Sequence, residues 1–149
     1  MNTKARQLTS IIKIFELKKG HFKNNIYKAN QLIEKKIASI QTLTQYAASY
    51  ADKLDDASLT TIQIIKNNRL FYQQLQQVIQ TEKKEIEKLE AIKRDLVSKY
   101  LGFDKKISGL NTVYDGIVET LQIARSHAED AENFDQAITR RGIDKKWEN

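Results

Sequence analysis

The chain has 149 residues, no proline, no cysteine and only 5 glycines, which excludes a disulfide framework and a thiolate metal site. Hydrophobic residues make up 40%, charged residues 30% and aromatic residues only 8%, the composition of long exposed helices rather than of a thick globular core. The net charge of +6 is uneven: residues 1–36 hold Lys4, Arg6, Lys13, Lys18, Lys19, Lys23, Lys28, Lys35 and Lys36 against Glu16 and Glu34, so this segment carries +7 and the remainder −1.

The N-terminal stretch MNTKARQLTSIIKIFELKK has no continuous apolar core and no cleavage pattern. No apolar run approaches the ~18 residues that cross a bilayer. A soluble, cytoplasmic protein is expected. The basic start is either a solvated lysine-rich face or a surface for nucleic acid, anionic lipid or an acidic protein.

From about residue 4 to 55, alternating steps of four and three visit Leu8, Ile12, Phe15, Lys19, Phe22, Ile26, Ala29, Ile33, Lys36, Ile40, Leu43, Ala47, Tyr50 and Leu54. Only the two lysines break the apolar series. A repeat of 3.5 held over this length predicts a coiled-coil helix. Next comes DKLDDASLTTIQIIK. Asp55, Asp56 and Ser58 favour a turn at about 56–60, because their side chains bond nearby backbone groups. Thr60 and Gln63 have capping-box spacing, so a second helix is expected from about residue 61.

That helix should run to about residue 140, with a basic tail to 149. Its repeat visits Tyr72, Leu75, Ile79, Glu82, Ile86, Leu89, Lys93, Leu96, Tyr100, Phe103, Ile107, Leu110, Tyr114, Ile117, Leu121, Ala124, Ala128 and Ala131, broken only by Glu82 and Lys93. A connection of about five residues makes the helices antiparallel neighbours. The predicted fold is all-α: one domain, a long antiparallel two-helix coiled-coil hairpin with a C-terminal overhang of helix two. Folding about residues 57–58 sets residue i opposite about 115 − i, so Thr3 should meet Thr112. Tyr114, Ile117 and Leu121 then continue the seam with no partner in the chain, the pattern of a binding surface, unless the helix bends back on itself. Gly102, Gly109 and Gly116, seven apart beside the seam on its outer flank, mark either weak helix or close approach of another backbone.

Nothing in the residues points to catalysis. The glycines form no phosphate loop. His21 and His127 have no metal-ligand spacing. Glu85/Glu87 and Asp55/Asp56 lie on helix surface or turn. A bare hairpin has no water-excluded pocket. A non-enzyme without metal or cofactor is expected.

Binding is better signalled. With Leu43 and Tyr50 at heptad position d and Ala47 at a, Tyr46 falls at g. On helix two Tyr72 is a and Leu75 is d, so Phe71 and Val78 are also g. In an antiparallel pair the g flanks face each other. Ser39, Tyr46, Phe71 and Val78 therefore share one edge near the turn, beside Leu43, Tyr50 and Leu75, in an amide-rich setting poor in charge. The edge is either a docking patch or a broadened seam with the rings covering it.

LTQYAASYADKL (43–54), the polar turn, LFYQQLQQVIQTEKKEIEKLE (70–90) and the closing AENFDQAITRR (131–141) resemble the FliJ family of the bacterial flagellar type III export apparatus. The resemblance covers almost the whole chain in length and layout. It implies a cytoplasmic coiled-coil stalk, peripheral at the inner-membrane export apparatus. The helix-terminal end of such a stalk enters the export ATPase ring, which points to Lys4, Arg6, Tyr114, Ile117 and Leu121. Its turn end meets the cytoplasmic linker of the export-gate membrane protein. The gate-facing patch of the family maps to Leu43, Tyr46, Tyr50, Phe71 and Leu75, and less closely to Ser39, Val78 and Glu82. Such a protein couples ATP hydrolysis to export, serves export chaperones, and is needed for flagellar biogenesis and motility.

Three other readings stand beside it. The corresponding stalk of a virulence-type injectisome shares the layout. An unrelated coiled-coil adaptor is a second, and with it a prefoldin-like holdase, which requires an oligomer. A nucleic-acid or membrane-surface binder requires salt-sensitive affinity, but aromatic residues are not interleaved with the basic cluster, so neither nucleic acid nor membrane insertion is expected.

Overall fold

The computed structural model describes residues 3–55 and 61–147, with side chains from 3 to 53 and 61 to 142. The expected turn at 56–60 and the last two residues of the basic tail lie outside the described residues. Two helices account for the rest: α1 (Thr3–Asp55) and α2 (Ile62–Trp147). They pack antiparallel as an all-α hairpin. There is no strand among the described residues. α2 continues past the expected end near residue 140. Its N-cap is Thr61, one residue later than the capping box suggested: Thr61 Oγ1 accepts a hydrogen bond from the Ile64 N–H at 3.4 Å.

By packing, the chain divides into two units, one of residues 18–102 and the other of residues 1–17 with 103–149. In the first, the seam follows the heptad repeat. Ala29, Ile33, Ala47, Leu75 and Ile79 are buried, and Ile40, Leu43, Tyr50 and Tyr72 pack around the Ala47–Leu75–Ile79 cluster. Small Ala47 opposite larger Leu75 and Ile79 lets the two helices approach closely. The sequence shows four breaks in the repeat here, Lys19, Lys36, Glu82 and Lys93, and two of them meet: Lys36 Nζ lies 3.1 Å from Glu82 Oε2 and also binds Glu85. Lys19, a third break, lies with its Nζ 5.4 Å from the centre of the Tyr100 ring.

These pairs correct the register. Lys36 faces Glu82, not residue 79, and the Tyr50 ring meets that of Phe71 at a tilt, not residue 65. The offset is three residues at the first pair and six at the second, between about one and two helical turns. The helix ends account for part of it: α1 ends at Asp55 and α2 begins only at Ile62, so their midpoint falls later than 57–58.

In the second unit, Ala5 and Ile107 are buried, and Leu8, Ile12, Leu110, Tyr114 and Ile117 are half-buried. Phe15 and Phe103 meet edge to face at 5.5 Å, with Lys106 over both rings. Here too the register is later than expected, and the start of α1 reaches further along α2. Tyr114 and Ile117, expected to be unpaired, are therefore partly covered. The overhang begins after Val118: every residue from Glu119 to Gly142 is exposed. The helix is unbroken at Gly102, Gly109 and Gly116, and a Cβ at each would stand in open space. Among the described residues nothing approaches these glycines closely, and nothing in the structure explains them.

Candidate functional site

The predicted edge forms within the first unit. Leu75 is buried at its base, and Leu43 and Tyr50 are half-buried against the same cluster. Above them Tyr46 is 58% exposed, Phe71 43% and Val78 46%, and Ser39 is also exposed. The g positions thus do lie outside the seam, as the wheel requires. Phe71 is held in place: its ring lies 4.7 Å from that of Tyr50, tilted by 57°, and Lys53 Nζ stands 5.0 Å from the Tyr50 centroid. The expected neighbour of Phe71 was Tyr46; the later register gives it Tyr50 instead. Tyr46 makes no hydrogen bond or ring contact among the described residues. An open aromatic face with a hydroxyl beside an anchored second ring is the amphipathic presentation common at binding hot spots.

The edge is longer than the sequence reading drew it. Leu32 continues the g column of α1, and Ile64 and Ile92 that of α2; all three are exposed. The seven-residue step from Ser39 or from Phe71 reaches each of them. The only acid in this column on either helix is Glu85, and Lys36 engages it.

Glu82 has a different role from the one the patch assigned it. It is half-buried and accepts a hydrogen bond from Lys36 across the seam. Hydrogen bonds to Glu85 and then to Glu82 hold the Lys36 ammonium above its usual value, against partial desolvation. The same contact with Lys36 holds the Glu85 carboxyl below its usual range. A charged pair inside an apolar seam fixes register more than it adds stability. Glu82 therefore belongs to the alignment of the hairpin rather than to its free edge.

The second predicted surface lies in the other unit. Lys4 and Arg6 are exposed on the first turns of α1. Tyr114 and Ile117 are half-buried, and Leu121 is 43% exposed at the start of the overhang. Further along, Ile123, Phe134 and Ile138 are exposed as well. Ile138 escaped the sequence reading because Asp135 interrupts the heptad between Ala131 and Ile138, and Phe134 because it lies at g, off the seam.

No helix of the described residues is long and apolar enough to cross a membrane. No protein family, curated protein or solved structure matches the chain.

Proposed function

We propose that the chain is a non-catalytic coupling protein of a type III export apparatus, a stalk of the FliJ kind. In this reading the edge around Tyr46 and Phe71 binds the cytoplasmic linker of the export-gate membrane protein. The first turns of α1, with Tyr114, Ile117 and Leu121, bind the export ATPase ring. The protein acts at the cytoplasmic face of the inner membrane, links ATP hydrolysis to export and assists export chaperones. One observation carries the reading: Tyr46, Phe71 and Val78 stand exposed at g positions beside the seam, and Phe71 is anchored against Tyr50, which itself packs on the buried Ala47–Leu75–Ile79 cluster. Leaving Phe71 in water forgoes about 1–2 kcal/mol of burial, which a partner would recover.

The flagellar apparatus and the injectisome place the same demands on such a stalk, and the flagellar one is favoured by the resemblance of residues 43–54 and 70–90. The test is a titration of the purified chain with the gate linker and, separately, with the export ATPase. Micromolar or tighter binding to both is expected. No binding to either overturns the reading.

A further inference from the structure

The exposed stretch of α2 from Glu119 to Gly142 is complementary to itself. Its apolar stripe is Leu121, Ala124, Ala128, Ala131 and Ile138, with Phe134 beside it. Phe134 is 66% exposed and Ile138 53%, so the stripe is uncovered among the described residues. We infer that this stretch pairs with the same stretch of a second copy of the chain, antiparallel, about a twofold axis passing between Glu129 and Asp130.

The sequence around that axis supports the pairing layer by layer. Leu121 of one copy falls opposite Ile138 of the other, at both ends of the contact. Ala128 falls opposite Ala131 at its centre, where small side chains let the two helices approach closely. The charges match under the same operation. Arg125 and Glu132 both occupy heptad position e, and e flanks face each other in an antiparallel pair, so each copy offers Arg125 to Glu132 of the other. On the opposite flank His127 faces Phe134, and Thr120 faces Arg141. Asp135, the one charge in the stripe, falls at the level of Ala124 and Arg125 of the second copy. It meets a small side chain and a guanidinium rather than a large apolar group. Arg125 now has only an exposed contact at 3.5 Å with Glu129, one turn along its own helix, a pairing weak enough to exchange.

Length fits as well. The axis lies within about one residue of the middle of the exposed stretch, so the two stretches overlap along nearly their whole length before either meets the start of α1. The contact is isologous and closes at two copies. It goes beyond the export reading and needs no partner from it. Because Leu121 is common to this contact and to the proposed ATPase surface, a chain paired in this way is not free to occupy the ring.

Sedimentation of the full chain over a concentration series tests the inference. The expected result is a reversible monomer–dimer equilibrium. Replacing both Leu121→Asp and Ile138→Asp should leave monomer only. Arg125→Glu or Glu132→Arg alone should weaken self-association at least about tenfold, by placing like charges opposite each other. An equimolar mixture of those two single variants should recover it, because both pairs then become opposite in sign in the mixed dimer. Circular dichroism should show unchanged helicity in every variant. A wild-type chain that stays monomeric at all concentrations overturns the inference. So does a dimer that survives Leu121→Asp with Ile138→Asp, or a mixture that fails to recover.

Discussion

Within α2 the same heptad repeat has two outcomes. Phe103, Ile107, Leu110, Tyr114 and Ile117 are covered or half-covered by α1, whereas Leu121, Ala124, Ala128 and Ala131 stand in solvent. The difference follows the reach of α1, whose cover ends at Val118, and beyond that point the seam positions, Leu121 apart, turn from large side chains to alanine. Large residues stabilise a seam by about 1.5–3 kcal/mol each on burial. Alanines gain little from burial and have the best intrinsic helix propensity. An Ala-rich stretch that continues an existing helix needs no new nucleus, so it stays helical without a partner in the chain. A repeat thus shows where a helix is able to pair, and side-chain size shows where it gains most from doing so within the chain.

That contrast is broken or sharpened by mutation. Leu75→Ala and Ile79→Ala, in the buried cluster of the other unit, should each cost about 2–5 kcal/mol in denaturant melts. Being neighbours, they should not add. Leu121→Ala and Phe134→Ala at low protein concentration should change stability by no more than about 0.5 kcal/mol. A loss of 2 kcal/mol or so at Phe134 would mean that the overhang is packed and the comparison is false. Ile117→Ser together with Leu121→Ser should fall between, at about 1–2 kcal/mol, nearly all from half-buried Ile117.

The Lys36 pair adds a pH signature. Because the folded value of Lys36 is raised, its contribution is fully present below the unfolded ammonium value near 10.5 and is lost as pH rises through the folded value. Because the folded value of Glu85 is lowered, its contribution is present above the unfolded carboxyl value near 4.5 and is lost as pH falls through the folded value. Melting temperature against pH should therefore decline at both extremes, and Lys36→Met should flatten both declines. A profile unchanged by Lys36→Met would show that the pair does not persist in solution. The glycines act in the opposite direction: Gly109→Ala, with open space for its methyl, should stabilise the helix by about 0.5–1 kcal/mol in the same melts.

The repeat was legible in the sequence because burial alone dictates it. Every described seam position from Leu8 to Tyr50 is buried or half-buried. The register was not legible, because it depends on where α1 stops and α2 starts, and one residue of connection moves every opposing pair. That is why Lys36 and Glu82 were visible as breaks but not as partners. It is also why Phe71 was expected beside Tyr46 rather than against Tyr50. The exposed edge itself survived the error in register, since a g position stays at g when the helices slide. Glu82 leaves the edge for another reason: it sits at d, in the seam, where its carboxylate is engaged by Lys36.

The central claim is that Tyr46 and Phe71 face a partner rather than complete the hairpin, and Tyr46→Ala separates the two most directly. Tyr46 has no ring contact or hydrogen bond to lose among the described residues, so its removal should cost folding less than about 1 kcal/mol. Titration of wild-type and variant protein with the export-gate linker, beside thermal melts of both, should show binding weakened by about 2 kcal/mol or more while the melting temperature shifts by only a few degrees. Unchanged affinity for the linker with a large fall in melting temperature would contradict the account, showing that the ring belongs to the hairpin seam.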